Sequence, residues 1–138
     1  MMSTATCVIV DKSALIACAF DDAESAELKR AILHGGFVPA PVLLEFRRVV
    51  TKCGSWPERF LTNLLGAELS VLPFGEAEAE IADAANYQFG LGNGRGGTLN
   101  LSDLMVYAAA KRRDLPLLCT GTDFSKTDIA IHPASRNW

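Results

Sequence analysis

Apolar residues in this chain come in short continuous blocks. Positions 7–10 (CVIV), 37–40 (FVPA), 69–72 (LSVL) and 115–120 (LPLLCT) are apolar or nearly so, and polar residues or turn formers bound each one. Runs this short fit strands buried on both faces of a parallel sheet. The triplet 129–131 (IAI) predicts a further short strand. Between these blocks, helices are predicted over 13–20, 21–34, 41–52, 56–65, 76–87 and 103–113. Several of their ends carry local signals. Asp21 and Asp22 open the second helix, Lys29 and Arg30 sit near its end, and Gly35-Gly36 stops it. Pro41 takes the favoured first helical position. Asn100 or Ser102 can cap the last helix. Strands alternating with helices imply parallel βαβ units, hence an α/β fold with a central parallel sheet. No repeat or linker divides residues 1–138, so one domain is expected.

Four carboxylates stand out against this pattern. Asp11 ends the first apolar run, and ligands of open α/β sheets bind in the crevice outside the carboxyl ends of the strands. Glu45 lies three residues after Val42 and four before Val49. It therefore shares the apolar stripe of Val42, Phe46, Val49 and Val50, away from Arg47, Arg48 and Lys52. A carboxylate there is costly unless it is paired, hydrogen-bonded or bound to metal. Asp103 falls in the first turn of the last helix, and Asp123 stands just past the fourth strand. All four can converge at one sheet edge. Close carboxylates raise one another's pKa, and a divalent cation removes the conflict. Hard oxygen ligands select Mg²⁺, or Mn²⁺ as a substitute. The other acids have simpler readings: Asp21, Asp22 and Glu24 as helix caps, and Glu76, Glu78, Glu80 and Asp83 as solvated surface. His34 reads as a helix-end residue and His132 as surface.

Composition narrows the classes. With 138 residues and 49 % hydrophobic content, the chain can bury one core. Cys7, Cys18, Cys53 and Cys119 stand singly, so neither a zinc site nor a disulfide framework is expected. Asp11 and Lys12 interrupt the apolar N-terminus and no basic segment precedes it. Neither a secretory signal nor a membrane span is therefore expected, and the anticipated location is cytoplasmic. A net charge of −3 argues against a simple cationic nucleic-acid binder. Setting aside the four candidate site acids, however, leaves 12 acids against 13 Lys and Arg. Arg47, Arg48, Lys52, Arg95, Lys111, Arg112, Arg113 and Lys126 could contact phosphates. The glycine-rich segment 90–97 contains a formal GxGxxG but follows a helix, so it lacks the setting of a dinucleotide fingerprint. A mobile, substrate-facing loop carrying Arg95 is expected instead. No GxxxxGK[ST] occurs.

The segments VIVDKSAL, PVLLEF, LNLSDLMVYAAA and LPLLCTGTDFSKTDI, in this order, resemble the PIN-domain ribonucleases, and in particular the VapC-type toxins of type II toxin–antitoxin pairs. The resemblance covers nearly the whole chain. It implies a PIN-like three-layer α/β/α sandwich and a Mg²⁺-dependent endoribonuclease. In such an enzyme, water activated by the ion cleaves RNA to leave a 5′-phosphate and a 3′-hydroxyl. It also implies a tRNA or rRNA substrate, a cognate VapB-type antitoxin protein and a homodimer, to which apolar residues 56–65 could contribute. By motif, Asp11, Glu45, Asp103 and Asp123 match the family's four acids. Its direct metal contacts fall on Asp11 and Asp103. Ser13 matches a small hydroxyl residue near the site, and Lys12 departs from the Thr commonly found there.

Two other classes fit less well. Haloacid-dehalogenase-type phosphoryl transfer needs a second Asp where Ser13 stands, and a receiver domain needs one ending its third strand, where the sequence is Leu72-Pro73-Phe74. A non-enzymatic binding module would leave Glu45 on its apolar stripe without a reason.

Overall fold

The computed structural model describes residues 7–20, 25–54 and 56–135. The element order is β1 (Val8–Val10), α1 (Lys12–Ala19), α2 (Ala26–Leu33), β2 (Gly36–Pro39), α3 (Ala40–Val50), α4 (Trp56–Leu64), β3 (Leu69–Leu72), α5 (Glu76–Phe89), α6 (Leu101–Arg113) and β4 (Leu117–Leu118). The four strands form one parallel sheet in the order β3-β2-β1-β4. Among the described residues six helices flank it, giving the central parallel sheet expected from the alternating pattern and the three-layer α/β sandwich that the resemblance implied. Among the described residues, no helix is long and apolar enough to cross a membrane.

The central strands show why their sequence is continuously apolar. All three residues of β1 are fully buried, because β2 and β4 pair with its edges and helices cover its faces. Ile9 pairs with Phe37 on one side and with Leu117 on the other. A Cβ at Gly36 would come 2.6 Å from the Val8 carbonyl oxygen, so a side chain there would push β1 and β2 apart. Phe46 of α3, also fully buried, anchors the neighbouring layer and packs on Phe60 of α4 with ring centroids 6.5 Å apart. Burying a side chain of this size contributes about 2–3 kcal/mol.

Several local expectations are corrected. Residues 129–131 do not form a strand; only Ile131 bridges, pairing with Leu117. Strand β4 is restricted to Leu117–Leu118. Helix α6 starts at Leu101 because Asn100, not Ser102, is its cap. Val49 is 53 % exposed, so the buried stripe of α3 is Val42, Phe46 and Val50. Glu78 is buried, not solvated. It accepts a hydrogen bond from the Gly75 amide at the start of α5 (2.9 Å) and pairs with Arg112, which reaches across from the last turn of α6. The proposed caps Asp21, Asp22 and Glu24 lie outside the described residues. The four cysteines are unpaired.

Candidate active site

From β1 the chain builds outward through β2 to β3, then crosses back to place β4 on the other side of β1. Such a reversal opens a crevice at the carboxyl ends of the strands. Asp11 sits at that point. Its amide donates to the Leu118 carbonyl (3.0 Å), so it is still stitched to β4 as the chain turns into α1. Its backbone is extended, and its Oδ2 accepts from the Ser13 amide (3.3 Å) and the Ser13 hydroxyl (2.6 Å). The same hydroxyl oxygen accepts from the Thr120 amide (3.0 Å). Ser13 thus holds one oxygen of Asp11 while tying the end of β1 to the segment after β4.

Asp103 arrives from α6 by a reciprocal cap. Asn100 Oδ1 accepts from the Asp103 amide (2.8 Å), and Asp103 Oδ2 accepts from the Asn100 amide (3.2 Å). This arrangement fixes the first turn of α6 and the direction of its carboxylate. In both acids Oδ2 is the oxygen that these hydrogen bonds anchor.

Asp11 and Asp103 are 7 % and 8 % exposed. Burial raises the pKa of Asp11, against the hydrogen bonds from Ser13. Burial also pushes Asp103 from 3.8 up to about 6, and the charges of Asp11 and Asp123 add to that rise. The buried Cys119 thiol, pushed up to about 12 mainly by burial, also feels Asp11, Asp103 and Asp123. Those three acids therefore share one field at the switch point. Asp123 is the exposed member, held by its backbone carbonyl, which accepts from Thr98 Oγ1 (2.6 Å).

Glu45 is placed differently. It is half-buried, and its Oε2 pairs with Lys12 Nζ at 3.3 Å. The Lys12 charge also lowers the pKa of both Asp11 and Asp103. Glu45 therefore lies at the rim, paired with a cation that also acts on the buried pair. The pairing of Lys12 with Glu45 is what the sequence hid, since the two are 33 residues apart.

The four acids do not close into a cage. Among the described residues, no three His, Cys, Asp or Glu side chains are grouped closely enough to hold a metal ion by themselves. A small hard cation does not need such a cage. It takes one or two carboxylates and completes its shell with water and substrate phosphate. Two buried carboxylates at mutual electrostatic cost, each with one oxygen anchored, fit a divalent ion of this kind.

A family model for the PIN domain matches residues 8–130. The chain is 33 % identical over 136 residues to Ribonuclease VapC36 of Mycobacterium tuberculosis, an alignment covering 95 % of this chain and 97 % of that protein. Among solved structures, VapBC2 from Rickettsia felis, bound to a DNA fragment from its promoter, matches with a TM-score of 0.71 at 13 % identity over 95 % of this chain and 98 % of that one. VapC20 of Mycobacterium tuberculosis, a toxin that cleaves the sarcin-ricin loop, matches with a TM-score of 0.67 at 17 % identity over 86 % of this chain and 92 % of that one. At these identities the solved structures attest the fold alone. The family match spans nearly all the described residues and the sequence likeness extends over almost the full length, so this chain belongs to the PIN-domain family of VapC ribonucleases.

Proposed function

We propose that this protein is the toxin of a type II toxin–antitoxin pair. In this reading residues 1–138 form one PIN domain that hydrolyses RNA phosphodiester bonds as a Mg²⁺-dependent endoribonuclease, with Mn²⁺ as a possible substitute. The observation that carries it is the pair of buried carboxylates, Asp11 and Asp103, at the β1/β4 switch point. Their ionised forms are costly unless a cation joins them. When bound, a divalent ion supplies Lewis-acid activation of water and neutralises charge on the phosphoryl group.

The chain's own groups have separable roles. Asp11 and Asp103 would hold the ion, their carboxylates anchored by Ser13 and Asn100. Ser13 positions Asp11 by linking it to Thr120. Asp123, exposed at the mouth, orients the attacking water or completes the cation's shell through water. Glu45 would do the same from the rim, where it pairs with Lys12. The cut leaves a 5′-phosphate and a 3′-hydroxyl. A tRNA or rRNA is the substrate class, and a cognate VapB-type antitoxin is the inhibitor. Structures of VapB–VapC assemblies among the fold's neighbours support that partner. A homodimer is the working state, with α4 contributing apolar surface through its half-buried Trp56 and Phe60.

The test is incubation of total RNA with purified, antitoxin-free protein in Mg²⁺ or Mn²⁺, against EDTA and an Asp11→Asn control. Cleavage that requires metal and disappears in the control is the expected result. Equal cleavage by Asp11→Asn would sink the assignment.

A further inference from the structure

The glycine-rich segment after α5 is cross-braced, although its composition suggested a mobile loop. Asn93 Oδ1 accepts from the amides of Arg95 (2.8 Å) and Gly97 (3.2 Å), and Asn93 Nδ2 donates to the Tyr87 carbonyl (3.2 Å). Leu91 and Leu99 close its base, where the Leu91 amide donates to the Leu99 carbonyl at 2.8 Å. A Cβ at Gly97 would lie 2.2 Å from the Gly90 carbonyl oxygen, so the two arms pack backbone on backbone.

This frame forms one wall of a cavity of about 140 Å³ lined by Gln88, Phe89, Arg95, Gly97, Thr98 and Lys126. At ~30 Å³ per water, that is room for a few waters or for one phosphate group. Both cations at the cavity are exposed. Their side chains make no hydrogen bond or ion pair among the described residues. Of the six other basic residues named from the sequence, three are paired: Arg47 with Glu58, Lys111 with Asp128 and Arg112 with Glu78. The cavity also adjoins the acidic site, because Thr98 in its wall donates to the Asp123 carbonyl. Lys126 follows Asp123 by three residues, in turns that the Ser125 and Thr127 amides close onto Thr122 and Phe124. Two unpaired cations on braced backbone, beside acids that repel a polyanion, are what an RNA backbone needs to approach this site.

We propose that Arg95 and Lys126 form a subsite for a backbone phosphate of the RNA substrate, adjoining the phosphodiester that is cut. The inference rests on the ribonuclease reading and extends it to substrate positioning. Neither residue touches the reacting atoms. Their work is to hold the strand while Asp11 and Asp103 address the scissile group.

Binding of a fluorescein-labelled single-stranded RNA by Asp11→Asn protein, followed by anisotropy over a range of salt, separates this from cleavage. Adding Arg95→Gln and Lys126→Gln together is expected to weaken binding about tenfold or more at low salt. The salt slope should fall by about 1.4, since each phosphate contact on a single strand contributes about 0.7. Arg95→Lys should restore part of the affinity, and Arg30→Gln, on the exposed last turn of α2, should leave affinity and slope unchanged. Thermal unfolding checks that the exposed substitutions leave the fold intact, with the melting midpoint unchanged. Unaltered affinity and slope in the double variant would overturn the subsite while leaving the ribonuclease reading in place. An equal loss in Arg30→Gln would overturn it in favour of diffuse charge. RNA neither bound by the Asp11→Asn protein nor cut by the unsubstituted protein would overturn both.

Discussion

Replacing Asp103 with Asn should make the metal-free protein more stable. The Asp103 carboxyl titrates near 6 in the fold against 3.8 in the open chain. The folded value is the higher one, so the ionised group costs stability. That cost is complete above about pH 6 and fades as the pH falls towards 4. Roughly two units correspond to at most ~3 kcal/mol. Two effects reduce the gain. Asn forfeits the favourable placement of a negative charge at a helix N-terminus, about 0.3–1 kcal/mol. Solvent in the crevice also screens part of the cost. The amide oxygen can still accept from the Asn100 amide, so the cap itself survives. A net gain of about 1–2 kcal/mol remains, which for 138 residues corresponds to about 4–7 °C in Tm. The assay is thermal unfolding in EDTA near neutral pH and again near pH 4, then with Mg²⁺ or Mn²⁺ added. Asp103→Asn should melt higher than the unsubstituted chain at neutral pH, and the gap should close in acid. Added metal should raise Tm only in the unsubstituted chain, since binding to the folded state stabilises it by mass action. A variant that melts at or below the unsubstituted protein in EDTA at neutral pH would refute the picture of two strained carboxylates awaiting a cation.

Two further predictions concern ion pairs outside the buried acid pair. Lys12→Thr removes the cation that pairs with Glu45 and lowers the pKa of Asp11 and Asp103. Metal affinity measured by titration calorimetry should rise roughly fivefold, from about 1 kcal/mol of relieved competition, and a weaker affinity would show that Lys12 organises the site. Glu78→Ala removes the acceptor for the Gly75 amide and the partner of Arg112, at a cost of about 1–3 kcal/mol in urea denaturation. The Arg112 guanidinium holds Glu78 below its ordinary 4.5. Its contribution is therefore present at neutral pH and lost as the pH drops below that value, so the difference between Glu78→Ala and the unsubstituted chain should narrow in acid.

Some of the site was open to reading along the chain, and the reason is local. Asp11 interrupts a run that must be apolar because β1 is buried on both faces, and Asp103 sits where a helix N-terminus welcomes a carboxylate. Glu45 was legible as an anomaly, but its partner was not, because Lys12 belongs to another helix. Val49 misled because helical periodicity marks a stripe without saying how wide the neighbouring layer is; only Val42, Phe46 and Val50 find cover. Glu78 misled for the complementary reason. It looks like one more acid on a polar helix until α6 packs against that face and supplies Arg112.

What the sequence determined by itself was the four strands of the sheet and the helices between them, though not the absence of a strand at 129–131, together with the parallel class of the sheet and the acids that break its pattern. These follow from side-chain periodicity and capping chemistry within a few residues. Only the tertiary structure decided the strand order that puts β4 beside β1, the 107-residue link from Ser13 to Thr120, and the counter-charge that Lys12 presents to Glu45. It likewise brought Arg95 and Lys126 to one cavity beside Asp123. Such contacts depend on which distant segments are driven together when the apolar faces are buried, and local periodicity carries no record of that.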